Sequence, residues 1–233
     1  MNAILDRLRG GLIVSVQAAE GSALDDPATI AAMADAAVEG GAAGVRIQGV
    51  ANLRAVRARV GVPIVGLIKR QHEGYEPYIT ASLEDVRAVL DAGAEIVAFD
   101  ATDRAHPGDA TVPRLIAAIH GSGALAMADC AVSSDGIAAA AAGADIVGTT
   151  LAGYTPHTRG RDLPALDVLQ SWHSLDAFKI CEGGVHSPGD AAEALAAYAD
   201  AVVVGTAITN IGWVTARYVQ AMGELPRRKS WPA

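Results

Sequence analysis

Aromatic residues are scarce, at 4% of 233 positions, and cysteine occurs only twice, as Cys130 and Cys181. Neither cysteine sits in a CxxC spacing and both follow apolar runs, so they read as reduced, buried thiols rather than a disulfide. No apolar stretch reaches the roughly 18 residues of a membrane span. The N-terminus lacks the basic-then-apolar pattern of a secretion signal, and the expected compartment is the cytoplasm. Positive charge is in deficit: 18 Lys and Arg against 26 Asp and Glu leave a net charge of -8. That balance argues against nucleic acid or an anionic membrane as a partner. An anionic small molecule stays admissible, because a few local cations can hold one. The six histidines, His72, His106, His120, His157, His173 and His186, form no HxH or HxxxH pair. No catalytic metal is therefore expected, and each histidine reads as a surface or loop residue. A GxGxxG after the first apolar run is also missing, which removes the usual mark of an open dinucleotide-binding sheet.

What the chain does have is alternation. Hydrophobic residues make up 51% and charged residues 19%, a globular balance. Short runs rich in Val and Ile occur at 11–17, 44–48, 64–69, 96–100, 125–130, 146–151, 178–182 and 201–206. Ala-rich amphipathic stretches separate them. Pro27 behind Asp25 and Asp26 suits a first helical turn, Ser82 suits a cap, and Pro188 opens a stretch reaching Tyr198. Glycine precedes alanine ahead of several runs, at Gly41, Gly93 and Gly143, where a left-handed residue can stop a helix. Strands alternating with helices imply a parallel sheet, and eight units imply closure. The predicted fold is α/β, a single (β/α)8 TIM barrel over 1–233, with a short basic tail from about 224. About 200 to 250 residues suit that fold as one domain.

In such a barrel the chemistry lies at the C-terminal strand ends. Here those ends carry Gln17, Arg46, Lys69, Asp100, Asp129, Thr149, Glu182 and Thr206. Side chains alternate along a strand. Lys69 therefore shares a face with Val65 and Leu67, Asp129 with Leu125 and Met127, and Glu182 with Phe178 and Ile180. Charges on the apolar, barrel-facing side need partners, so Arg46, Lys69, Asp129 and Glu182 form either an ion-pair network or a site. Asp100 fits a rim brace equally well. Gly183–Gly184 and Gly205–Thr206 follow the last two strands, where backbone N–H groups can cradle a phosphate.

The segments at 11–17, 65–70, 100–104, 127–130, 148–155, 181–183 and 204–209 resemble the N-acetylmannosamine-6-phosphate 2-epimerases, in order and at the family's spacing, from about Gly11 to Met222. The resemblance implies a (β/α)8 barrel that interconverts N-acetylmannosamine 6-phosphate and N-acetylglucosamine 6-phosphate in sialic acid and amino-sugar catabolism. It implies no metal and no nucleotide cofactor. The family's catalytic lysine and glutamate match Lys69 and Glu182, and its substrate-contacting positions match Gln17, Arg46, Asp129 and Tyr154. A phosphorylated amino sugar is the implied partner, and a homodimer stays open. Two positions depart from the pattern: Asn210 stands where the family usually has Arg, and Gly184 where it often has a basic residue. Arg70, Arg104 or His186 are the candidates to compensate. Inverting C2 requires removal of a proton and its return to the other face. Lys69 and Glu182 could serve as base and acid, in either assignment. Other readings on this barrel are a phosphosugar isomerase, an aldolase with a lysine Schiff base, a decarboxylase, or a non-catalytic sugar-phosphate binder.

Overall fold

The structure is a computed structural model that describes residues 2–19 and 21–223. The basic tail expected from about 224 lies outside the described residues. Eight parallel strands pair in sequence order, and the eighth pairs with the first, closing the barrel. They are β1 Leu12–Val16, β2 Gly44–Gln48, β3 Ile64–Leu67, β4 Ile96–Asp100, β5 Leu125–Asp129, β6 Ile146–Gly148, β7 Phe178–Glu182 and β8 Ala201–Val204. Each lies within the apolar run that predicts it. β3 and β6 stop earlier than their runs, so Lys69 and Thr149 stand just beyond the regular sheet.

The helices are α1 Ala3–Leu8, α2 Pro27–Glu39, α3 Val50–Arg57, α4 Leu83–Asp91, α5 Val112–His120, α6 Ser133–Ala141, α7 Leu166–Ser171, α8 Pro188–Ala196, α9 Thr206–Thr209 and α10 Ile211–Gly223. Local chemistry sets their starts. Asp26 and Ser82 accept hydrogen bonds from backbone N–H groups of the first turns of α2 and α4. Ser187 and Asp190 cap α8 reciprocally behind Pro188, and that helix ends at Ala196, two residues short of Tyr198. Gly41, Gly93 and Gly143 take φ of +98°, +90° and +100°, the left-handed stop expected of them.

Alternation along the strands sorts the core into two shells. Ile13, Val65, Leu67, Ile96, Leu125, Met127, Ile146, Phe178, Ile180 and Val203 fill the barrel interior, closed at the N-terminal end by Leu8 of α1. Val14, Val45, Val97, Phe99, Val147, Val202 and their neighbours face the helices. On three strands the interior shell leads straight to charge: one further step of two residues passes from Leu67 to Lys69, from Met127 to Asp129 and from Ile180 to Glu182.

Candidate active site

Arg46 is the largest charged group in the barrel and is 1% exposed. Its strand places it two residues beyond Gly44 on the inward face. Across the barrel, Asp129 at the end of β5 is fully buried. The two form a forked ion pair: Nη2 donates to Oδ2 at 2.6 Å and Nη1 to Oδ1 at 3.2 Å. Glu182 Oε2 lies 3.2 Å from Arg46 Nη1. Thr150 Oγ1 lies 2.7 Å from Asp129 Oδ1 and 3.2 Å from Glu182 Oε2. Thr149 fixes the main chain of the same strand end, donating to the Glu182 carbonyl at 2.9 Å and accepting from its N–H at 3.0 Å.

Lys69 stands two residues past β3, held by a bridge to Ile79 in a returning loop. Arg70 N–H donates to the Tyr78 carbonyl and Thr80 N–H to the Ile68 carbonyl, so this loop folds back beside the barrel mouth and sets Tyr78 and Ile79 on the cavity. No ion pair holds the Lys69 ammonium among the described residues, and the side chain is open to the mouth.

The electrostatics follow from burial and from one guanidinium. Burial lowers the Lys69 pKa and the nearby Arg46 charge adds to that, against opposing pulls from Glu182 and Asp129. Burial pushes the Glu182 carboxyl up to about 7; Arg46 opposes this and Asp129 reinforces it. Burial alone would lower the Arg46 pKa, but Asp129 and Glu182 outweigh it and keep the guanidinium charged. Cys130 and Cys181 are free and buried, with thiol pKa values raised by that burial, which makes them inert packing groups.

These groups open onto a cavity of about 310 Å³. Of the sequence-predicted site residues, Gln17, Arg46, Lys69, Tyr154, Glu182, Gly183, Gly184, Gly205 and Thr206 line it. Asp129 sits behind Arg46 and completes the cluster from below. Asn210 and His186 are on the wall; Arg70 and Arg104 are not. Arg70 instead pairs with Glu84 and Asp85, and Arg104 with Asp100 and Glu76. Asp100 is fully buried and accepts from Thr102 and Arg104, which ties down the rim beside the cavity. His106 departs from the surface or loop reading only in being buried: it lies in the loop after β4, its ring against the Asp100 carbonyl.

Sequence reasoning passed over Ser15, Tyr78, Thr150 and Thr209, all of which line the cavity. Thr150 lay inside a motif already singled out, yet a hydroxyl beside a strand end carries no pattern of its own. The two departures acquire physical reasons. Asn210 caps α10, its Oδ1 accepting from Trp213 N–H at 2.9 Å. Gly184 has φ +74°, and a Cβ there would fall 2.2 Å from Leu163 Cβ. Among the described residues, no group of three or more His, Cys, Asp or Glu side chains is placed to hold a metal ion.

Residues 30–224 match the family model described as "Putative N-acetylmannosamine-6-phosphate epimerase". A relative from Escherichia fergusonii, named "Putative N-acetylmannosamine-6-phosphate 2-epimerase", is 47% identical over 214 residues, covering 91% of this chain and 92% of that protein. The chain belongs to the N-acetylmannosamine-6-phosphate 2-epimerase family. A relative from Escherichia coli K12 has the same name, identity and coverage. The solved N-acetylmannosamine-6-phosphate 2-epimerase from Clostridium perfringens superposes with a TM-score of 0.91 at 37% identity, over 94% of this chain and 96% of that one. A 3-hexulose-6-phosphate synthase superposes with a TM-score of 0.61 at 17% identity, over 91% and 98% of the two chains, a likeness of fold alone. No helix among the described residues of this family member is long and apolar enough to cross a membrane.

Proposed function

We propose that this chain epimerises N-acetylmannosamine 6-phosphate at C2, giving N-acetylglucosamine 6-phosphate by proton abstraction and return. The observation that carries the reading is the placement of Lys69 and Glu182 on one cavity around the buried Arg46. The neutral form of each is favoured, for Lys69 by desolvation against the cavity wall and the neighbouring Arg46 charge and for Glu182 by burial; these are the base form of a lysine and the acid form of a glutamic acid. Lys69 takes the C2 proton once the ring has opened and C1 is a carbonyl. Glu182 supplies a proton at the ring oxygen or on the opposite face. The positive Arg46 stabilises the negative charge that develops on the enolate. Gln17 and Tyr154 contact the sugar. Backbone amides at 183–184 and 205–206, with Thr206 and Asn210, receive the phosphate.

Turnover in deuterium oxide tests this directly. Proton NMR should show the product labelled at C2. Product carrying only protium at C2 would point instead to a hydride or retro-aldol route, or to a fully shielded proton return.

We also propose a homodimer through α10. The support is that no residue of this helix is buried, while Ile211, Tyr218, Val219 and Met222 stand 59–71% exposed, an apolar face of the kind that seeks a partner.

A further inference from the structure

Thr150 has one hydroxyl proton and two carboxylates within reach, Asp129 Oδ1 at 2.7 Å and Glu182 Oε2 at 3.2 Å. The shorter contact takes the proton, so Thr150 donates to Asp129. Glu182 Oε2 then faces a hydroxyl oxygen with a lone pair and no hydrogen to give. Arg46 does not fill the gap: Nη1 directs its two hydrogens at Asp129 Oδ1 and at Met127 Sδ. It stands 3.2 Å from Glu182 Oε2 as a charge and not as a hydrogen-bond donor. The arrangement is satisfied when Glu182 itself carries a proton on Oε2 and donates it to Thr150.

We infer that Thr150 is a positioning residue that holds Glu182 as the carboxylic acid, accepting from Glu182 while donating to Asp129. Two protons then serve two hydrogen bonds. When Glu182 loses its proton, one hydroxyl proton must serve two carboxylates, and one hydrogen bond is lost. Thr150 therefore favours the protonated state. The other groups that face Glu182 are Arg46 from β2, Lys69 beyond β3, Asp129 from β5 and Cys181 on its own strand, with Tyr78 and Tyr154 on the shared cavity wall. Burial also raises the Glu182 carboxyl, whereas a Thr150 hydroxyl donating to Glu182 would lower it; the shorter contact to Asp129 is what turns that hydroxyl proton away from Glu182.

The catalytic meaning rests on the reading of Glu182 as the acid, but the titration can be read without substrate. Carbon-13 NMR of the full chain labelled at the glutamate δ-carbons follows Glu182, with the resonance assigned by its loss in Glu182→Gln. Thr150→Val should lower the Glu182 midpoint by about 0.7 pH unit, the size of one ordinary hydrogen bond. Thr150→Ser should restore it. The basic limb of the kcat profile should move down with it. A midpoint that stays or climbs in folded Thr150→Val overturns the inference, because Thr150 would then be a spectator or a donor to the ionised form. Should the valine variant not fold, Thr150→Ala is read by the same criterion. A downward shift in a chain that proves to lack epimerase activity keeps the role of Thr150 and sinks the proposed reaction. An active epimerase whose midpoint ignores Thr150 does the reverse.

Discussion

At the scale of single residues, Arg46 acts on two neighbours at once. Its charge lowers the pKa of Lys69 and of Glu182 alike, whereas burial lowers the first and raises the second. The lysine is thus pushed twice toward its free base, and the glutamate is held near neutrality. Lys69→Ala and Glu182→Gln should each cut kcat by about 10²–10⁴-fold, the range for a general acid or base. A soluble Lys69→Ala protein with near-normal turnover would remove Lys69 from the chemistry. Turnover should fall as pH rises through about 7, where Glu182 loses its proton. The folded pKa of Glu182 is raised above its unfolded value, so its contribution to stability is complete below the unfolded pKa and is lost as pH climbs through about 7. Glu182→Gln should therefore melt above the wild type at pH 8, with the gap closing near pH 5; scanning calorimetry at both pH values decides it. Arg46 admits no such change. Removing it would leave Asp129 buried without its counter-ion, at about 3–5 kcal/mol.

At the scale of elements, Asn210 shows how one residue serves two neighbours in the chain. It ends α9 and caps α10, so Asn210→Arg adds a cation to the cavity wall and removes a cap worth about 1 kcal/mol. The expected result is a lower KM for the phosphorylated sugar, nearly unchanged kcat and a lower Tm. An unchanged KM would place position 210 outside the phosphate subsite. The eight strands were legible because Val and Ile runs with period-two alternation predict both the strand and its inward face. That is why Lys69, Asp129 and Glu182 could be grouped from spacing alone. Arg46 obeys the same rule from β2. Thr150 and Tyr78 could not be found so. Thr150 keeps the parity of Ile146 and Gly148 as Lys69 keeps that of Leu67, but a neutral hydroxyl, unlike a charge, does not demand a partner, and Tyr78 rides a returning loop whose course depends on Thr80 bonding back to Ile68. Arg70 and Arg104 look available in sequence, but nearby carboxylates claim both.

At the scale of the whole molecule, α10 predicts assembly. Light scattering coupled to size exclusion should give twice the 23.7 kDa chain mass, and Tyr218→Asp with Val219→Asp should return the monomer; a wild-type monomer at micromolar concentration ends the proposal. The contact between Gly184 and Leu163 reaches further, into how such a chain can change over generations. The two positions belong to loops that follow different strands, yet a side chain at 184 would strike the Cβ of 163 and crowd its backbone. A basic residue introduced at 184 would meet both that collision and a left-handed φ. Shrinking Leu163 first would sacrifice packing with no charge yet gained. Neither change is accommodated alone, so a side chain at 184 and a smaller residue at 163 are coupled: the space at one position is set by the other.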